Sequence, residues 1–105
     1  LDSVKINTYK HFIQDCIKSN IQLYIVCPPY MINQIGIPAS IIAAKKIAQQ
    51  YNIDFFDYSK DEFYTTKPQL FADYRHLNPR GVKIFSNAII EKINYETQLL
   101  KENKY

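Results

Sequence analysis

The chain has 105 residues, of which 47% are hydrophobic, and a formal net charge of +3. This length gives room for one small domain, and the apolar content is high enough for a core, which excludes an intrinsically disordered chain. Lysines are scattered among acidic residues without a basic stripe, so nucleic-acid binding is not indicated. No apolar run approaches the ~18 residues of a membrane span.

The opening residues, Leu1-Asp2-Ser3, show no signal-peptide pattern and lack an initiator Met. We therefore expect a piece of a longer protein. Its localisation, cytoplasmic or bacterial cell surface, stays open.

The first third of the chain predicts a helix followed by a buried strand. From about Lys5 to Ser19, apolar residues recur at spacings of three and four. The stripe consists of Tyr9, Phe12, Ile13, Cys16 and Ile17. Ile21 to Cys27 is β-branched and aromatic, which predicts a parallel strand covered on both faces. Pro28-Pro29 ends it, and Tyr30 to Pro38 is predicted to be a loop on the ligand side of an α/β sheet.

A second helix and strand follow. The helix is predicted from about Ser40 to Tyr51, with Asn52 as its stop, and the strand from Ile53 to Tyr58. The buried stripe of the helix consists of Ile41, Ala44, Ile47, Ala48 and Tyr51. The order helix–strand–helix–strand predicts a parallel βαβ unit with a right-handed crossover.

The remainder is predicted to be a loop and a long helix. Ser59 to Gln69 lacks periodicity apart from one helical turn at Lys60 to Tyr64, and the last helix runs from about Pro79 to Asn94 or beyond. Its buried stripe consists of Val82, Phe85, Ala88, Ile89 and Ile93. Two strands do not form a stable sheet alone, so we expect further strands upstream or a homodimer through the open sheet edge.

Most of the polar and thiol side chains are predicted to have ordinary structural roles. Cys16 and Cys27 are predicted to be buried thiols, with a catalytic Cys27 beside His76 as the alternative. His11 is predicted to be a helix-surface residue. The acidic cluster of Asp54, Asp57, Asp61 and Glu62 favours a solvated loop over a cation site. We therefore expect no metal and no cofactor.

One stretch, residues 70–81, carries stronger chemistry. Asp73 precedes His76 by three residues, and Asn78 and Pro79 then favour a helix start. A histidine is a common general base, and a carboxylate on its other ring nitrogen fixes its tautomer. The pair is predicted to lie on a loop held by a rigid helix, where catalytic side chains are commonly placed. The alternative is a surface acid beside a histidine that packs at the helix start.

Neighbouring side chains leave two interpretations open. Arg75 and Arg80 could meet an anionic substrate or be ordinary surface charge. Tyr58, Tyr64 and Tyr74 could line a carbohydrate or acyl pocket or pack within the core.

The segment FADYRHLNPRGVKIFSNAI resembles the closing block of SGNH hydrolases, also called GDSL-type esterases, and IQLYIVCPPY resembles their penultimate core strand. The resemblance implies a flavodoxin-like, three-layer α/β/α sandwich with a parallel sheet. Residues 1–105 would form one partial domain, the C-terminal half of such a fold, with about two strands and three helices.

The same resemblance implies cleavage or transfer of ester-linked acyl groups through a Ser-His-Asp triad. His76 would be the general base, Asp73 its orienting acid, and Tyr74 and Arg75 would contact a small-molecule or carbohydrate ester. The family's Gly-Asp-Ser block and oxyanion residues are not among these 105 residues, and Leu1-Asp2-Ser3 is a poor substitute. Ser40 and Ser86 are better assigned to a helix start and a helix face. We therefore expect the chain by itself to be inactive.

Two other functions stay open. The first is a non-catalytic α/β binding or scaffolding module with a hydrolase-like fold. The second, an unrelated flavodoxin-like response or nucleotide domain, has little support because the chain has no glycine-rich phosphate loop.

Overall fold

The computed structural model describes residues 2–31 and 38–103. Most of the predicted loop from Tyr30 to Pro38 lies outside these residues. The described elements are α1 (Ser3–Lys18), β1 (Tyr24–Cys27), α2 (Ala39–Gln50), β2 (Asp54–Asp57), α3 (Glu62–Thr65), a 3-10 turn (Pro68–Leu70), β3 (Phe71–Asp73), β4 (His76–Leu77) and α4 (Pro79–Glu102). The helices and strands predicted from periodicity are present, with ends shifted by a few residues. The hairpin of β3 and β4 was not predicted.

Side-chain caps explain where α1 and α4 begin. The Asp2 carboxylate accepts a hydrogen bond from the Val4 backbone N–H at 2.9 Å and so satisfies a donor that the helix leaves free. The predicted cap of α4 is confirmed, because Asn78 Oδ1 accepts from the Gly81 N–H at 2.9 Å and Pro79 is the first helical residue.

Left-handed asparagines explain where α1 and α2 end. Asn20 and Asn52 follow these helices with φ of 56° and 57°. Beyond Asn52, the Ile53 N–H donates to the Ala48 carbonyl at 2.9 Å, which satisfies a carbonyl at the end of α2. Asparagine is one of the few residues other than glycine that adopt this conformation readily.

Replacing Asn52 by Ala should therefore lower the free energy of unfolding by about 1 kcal/mol, since a β-carbon is disfavoured at positive φ. Asn52→Gly should match or exceed wild-type stability. Urea denaturation followed by circular dichroism measures both. Gln50→Ala, on the exposed last residue of α2, is the control for adding alanine at this helix end. An Asn52→Ala variant as stable as this control would contradict the prediction.

The sheet joins β1 and β2 in parallel, in a register that runs from Tyr24 opposite Asp54 to Cys27 opposite Asp57. In the part of the chain that the structure describes, this sheet has two strands. Because α2 connects them, the predicted βαβ order is confirmed, and the chain is a mixed α/β structure with a small parallel sheet. No described helix is long and apolar enough to cross a membrane.

One face of the sheet contacts α4. Tyr24 and Phe56 stack on this face with ring centroids 5.6 Å apart. The Tyr24 hydroxyl lies 3.4 Å from the Thr97 hydroxyl, and the Lys92 ammonium lies 5.2 Å from the Phe56 ring centroid. Both partners belong to α4, so this long helix runs along the sheet.

The opposite face contacts α2, which in turn carries α1. Asp57 points away from Phe56 because side chains alternate along a strand, and its carboxylate lies 3.7 Å from the Lys45 ammonium on α2. The Tyr9 hydroxyl of α1 donates to the Ala44 carbonyl of α2 at 2.9 Å. Helices therefore lie on both faces of the sheet.

Three residues of the predicted buried stripes are exposed, which corrects the sequence analysis. Phe12 is 55% exposed, and Ile17 and Val82 are each 49% exposed. Their helical spacing is correct, but a narrow sheet covers only part of each helix face. The apolar stripes are wide enough for a larger sheet, so the residues at their margins are exposed.

A hydrophobic cluster packs beneath the segment that precedes α4. Its buried members are Tyr64, Leu70 and Phe71. Phe85 of α4 meets the rings of Tyr58 and Tyr64 edge-on, with centroids 5.2 and 5.5 Å away. Packing within the core is therefore the correct interpretation for Tyr64, and the cluster forms the floor beneath the hairpin.

Candidate active site

Asp73 and His76 lie on a β-hairpin, not on the irregular loop that the sequence predicts. Asp73 ends β3 and pairs across the hairpin with His76, the first residue of β4, while Phe71 pairs with Leu77. Strands of three and two residues are too short to show an alternating pattern. The hairpin brings the two side chains together on its exposed surface.

The Asp73 carboxylate binds the imidazole of His76. His76 Nδ1 lies 2.8 Å from Asp73 Oδ1 and 3.0 Å from Oδ2. An ionised carboxylate only accepts hydrogen bonds, so Nδ1 must carry the proton and Nε2 of the neutral ring is the acceptor. The side chains of Asp73 and His76 are 60% and 74% exposed, respectively. This tautomer and this access are what a general base needs.

The turn itself keeps Asp73 ionised. Asp73 Oδ1 accepts the Arg75 backbone N–H at 2.9 Å, and this bond, together with the one from the His76 ring, lowers the pKa of the Asp73 carboxyl below its ordinary value. Because the folded pKa is the lower one, the contribution of Asp73 to hairpin stability is complete above the ordinary aspartate pKa of about 3.9. It is lost as the pH falls through the lowered value.

The two ends of the hairpin are tied together next to the start of α4. The backbone N–H of Asn78 donates to the Leu70 carbonyl at 2.9 Å, and its side-chain Nδ2 donates to the Gln69 carbonyl at 2.7 Å. Gly81 lets the helix approach this point, since a β-carbon there would overlap the Leu70 carbonyl oxygen. The hairpin therefore leaves and rejoins the structure at one fixed place.

The tip of the hairpin reaches the carboxyl ends of the parallel strands. The Met31 N–H, beyond the end of β1, donates to the Tyr74 carbonyl at 2.9 Å. At the same edge, the Tyr58 N–H after β2 donates to the Cys27 carbonyl at 3.0 Å. The Asp73–His76 pair is therefore attached to the edge of the sheet where open α/β folds bind ligands.

The candidate substrate contacts, Tyr74 and Arg75, occupy the turn of this hairpin and are exposed. Burial raises the pKa of Tyr30, and the positive charge of Arg75 offsets part of that rise.

Neither cysteine fits the role of nucleophile. Cys16 is buried, and Cys27 is 3% exposed. Burial, followed by the negative charge of Asp57, raises the pKa of the Cys27 thiol to about 11. At neutral pH this thiol is protonated and inaccessible, so the predicted assignment of both cysteines as buried thiols is confirmed.

The acidic residues at and after the end of β2 have structural partners. Asp57 Oδ1 accepts from the Ser59 hydroxyl at 2.6 Å and from its backbone N–H at 3.0 Å. Burial opposes ionisation of Asp57, but these bonds and Lys45 outweigh it and lower its pKa. Asp61 caps α3 through the Phe63 N–H. A cavity of about 320 Å³ opens beside them, but no group of three metal-ligating side chains is found in residues 2–31 and 38–103.

The serines and the second histidine lie on helices. Ser3 is the first residue of α1, Ser40 lies in the first turn of α2, and Ser86 is exposed on α4. His11 is exposed on α1, as predicted. Within the described residues, no hydrogen bond joins His76 to a serine.

Sequence reasoning missed the second bond of Asn78 and the close approach at Gly81. The bond from Asn78 to Gln69 joins residues nine positions apart, and no sequence pattern predicts it. The close approach at Gly81 did have a sequence signal, because Gly81 is one of two glycines in the chain and glycine weakens a helix unless the position requires it.

Comparison with family models, with curated proteins and with solved structures gave no match to this chain.

Proposed function

We propose that this chain is the C-terminal part of an SGNH-type serine hydrolase or acyl transferase, in which His76 is the general base and Asp73 orients it. The observation that carries the proposal is the hydrogen bond of 2.8 Å between Asp73 Oδ1 and His76 Nδ1. Because Nδ1 binds Asp73, Nε2 of the ring is the nitrogen that remains to act as a base on the exposed hairpin. The hairpin contacts the edge of the parallel sheet at which open α/β folds bind ligands.

The proposed chemistry is acyl transfer from an ester. His76 Nε2 removes the proton from a serine hydroxyl as the serine oxygen attacks the ester carbonyl carbon. The negative charge of Asp73 stabilises the imidazolium that forms. The ring then donates the proton to the oxygen of the departing alcohol as the ester C–O bond breaks. The product is an acyl-serine, which water or a second alcohol then attacks.

The serine and the oxyanion donors would come from outside these 105 residues. A sandwich with helices on both faces and more strands beside β1 or β2 would bring them to the same edge. Such strands would also pair the open sheet edges, a task that a second copy of the chain could share.

The residues at the turn of the hairpin support the proposed substrate class. Tyr74 is 60% exposed, and its ring offers a surface for a sugar ring or an acyl chain. Arg75 beside it would favour an ester that carries a negative charge. A small-molecule or carbohydrate ester fits both.

The test is hydrolysis of p-nitrophenyl acetate and butyrate by the 105-residue chain and by the product of the gene's full reading frame, called here the full-frame protein. We expect turnover by the full-frame protein alone. His76→Ala should lower its kcat about 10²- to 10⁴-fold, the usual contribution of a general base.

His11→Ala is the matched control, because exposed imidazoles react slowly with activated esters and His11 is the only other histidine in the sequence. It should leave kcat unchanged. Hydrolysis that His76→Ala does not affect would refute the assignment of His76. A full reading frame without a serine block would favour the non-catalytic binding module.

A further inference from the structure

We propose that Asn78 is a positioning residue that holds the Asp73–His76 pair in its productive geometry, an inference that rests on the proposed function. Asn78 uses three polar groups at once. Its Oδ1 accepts the Gly81 N–H at 2.9 Å, its Nδ2 donates to the Gln69 carbonyl at 2.7 Å, and its backbone N–H donates to the Leu70 carbonyl at 2.9 Å.

These bonds connect three parts of the chain. Gln69 and Leu70 immediately precede β3, Asn78 immediately follows β4, and Gly81 belongs to the first turn of α4. Asn78 therefore closes the open end of the hairpin and fastens it to the first turn of α4. The bond between Met31 and Tyr74 fixes only the other end, the turn.

Apart from the bond that the Asp73 carboxylate accepts from the Arg75 N–H, the reacting pair has little else to hold it. The side chains of Asp73 and His76 are 60% and 74% exposed, so packing against neighbours does not set their rotamers. Their relative position depends on the pairing of β3 with β4, and that pairing is irregular between Phe71 and Asp73. A shift of the strand ends would move the carboxylate relative to Nδ1.

Asn78 could instead act solely as a helix cap, and two substitutions separate the roles. Aspartate and serine cap helices about as well as asparagine, because each offers an oxygen to the first turn. Neither can reproduce the bond to Gln69, because an aspartate carboxylate has no proton to donate and the shorter serine cannot make both bonds. Asn78→Asp and Asn78→Ser therefore keep the cap and the backbone bond to Leu70 and remove only the side-chain bond to Gln69.

The experiment reads the tautomer of His76 in the full-frame protein by long-range 1H–15N NMR of the imidazole rings. In wild type, the neutral ring should be the Nδ1–H form, with His11 as the internal reference for an exposed histidine. In both variants, the His76 signals should shift to a mixture of tautomers like that of His11. Asn87→Asp, the same change at an exposed position of α4, should leave His76 as in wild type.

A second arm measures kcat and KM of the full-frame protein with p-nitrophenyl butyrate. Both Asn78 variants should lower kcat about 10- to 100-fold with little change in KM, because displacement of a catalytic group by ~1 Å costs up to that factor.

The outcomes decide between the roles. If either variant keeps the helical circular dichroism of wild type and also the wild-type His76 tautomer, the positioning role is refuted. Loss of that circular dichroism in both variants would refute it as well, since Asn78 would then act by forming the helix. A tautomer change in the variants, with no ester hydrolysis by the wild-type full-frame protein, would support the positioning of the pair and remove the proposed reaction.

Discussion

Replacing Asp73 by Asn should lower kcat of the full-frame protein about 10²- to 10⁴-fold while the hairpin stays formed. The amide oxygen of asparagine can still accept the Arg75 N–H, so the turn keeps its side-chain hydrogen bond. The same oxygen also lies 2.8 Å from His76 Nδ1 and can still accept from the ring, but the amide is neutral and no longer stabilises the imidazolium that forms when Nε2 takes the proton. The amide nitrogen replaces Oδ2, which lies 3.0 Å from Nδ1, and because it can only donate it disfavours the Nδ1–H tautomer.

The measurement is kcat against pH for wild type and Asp73→Asn, together with the ring tautomer of His76 by NMR. Asp54→Asn, at an exposed carboxylate of β2, is the matched control and should change neither quantity. A variant whose kcat equals that of wild type would show that the carboxylate does not orient a catalytic ring. The pair would then be a surface acid and histidine without a catalytic role.

The sequence predicted the long helices and the parallel strands because each carries a signal within its own residues. α4 has an apolar stripe, a capping Asn78 and Pro79 at its first position, and these local features agree with one another. The βαβ order then restricts the topology to a parallel pair. Burial was predicted wrongly for residues at the margins of the stripes, such as Phe12, because it depends on which element packs against the helix.

The chemistry of the site was predictable in part. The spacing of Asp73 and His76 indicated a possible pair, but nothing in the sequence indicated the hairpin that joins them. The turn residues Tyr74 and Arg75 include neither glycine nor asparagine, the usual signals of a tight turn. The hairpin depends instead on the side chain of Asp73 within the turn and on Asn78 at its base. The bond from Asn78 to Gln69 spans nine residues, so no local pattern encodes it, whereas the bond from the Arg75 N–H to Asp73 is a local turn contact of aspartate.

Replacing Gly81 by Ala should destabilise the protein even though alanine is the best helix former. On an exposed helix, this change would stabilise by about 1 kcal/mol. Here the new β-carbon would overlap the Leu70 carbonyl oxygen and lie 3.0 Å from the Leu77 side chain. Because that carbonyl also accepts the Asn78 N–H, it cannot move away without loosening the base of the hairpin. We expect a net loss of about 1–3 kcal/mol, typical of overpacking.

The loss should lower Tm by roughly 5–20 °C for a chain of this size, measured by thermal circular dichroism. Asn87→Ala, on the exposed face of α4, is the matched control and should match wild type or exceed it, since it changes helix propensity without a new contact. Leu70 is 3% exposed and belongs to the cluster with Tyr64 and Phe71, so its displacement should also disturb the floor of the hairpin. A Gly81→Ala variant as stable as Asn87→Ala would mean that α4 does not pack closely against Leu70. The close approach that fixes the position of His76 would then have no basis.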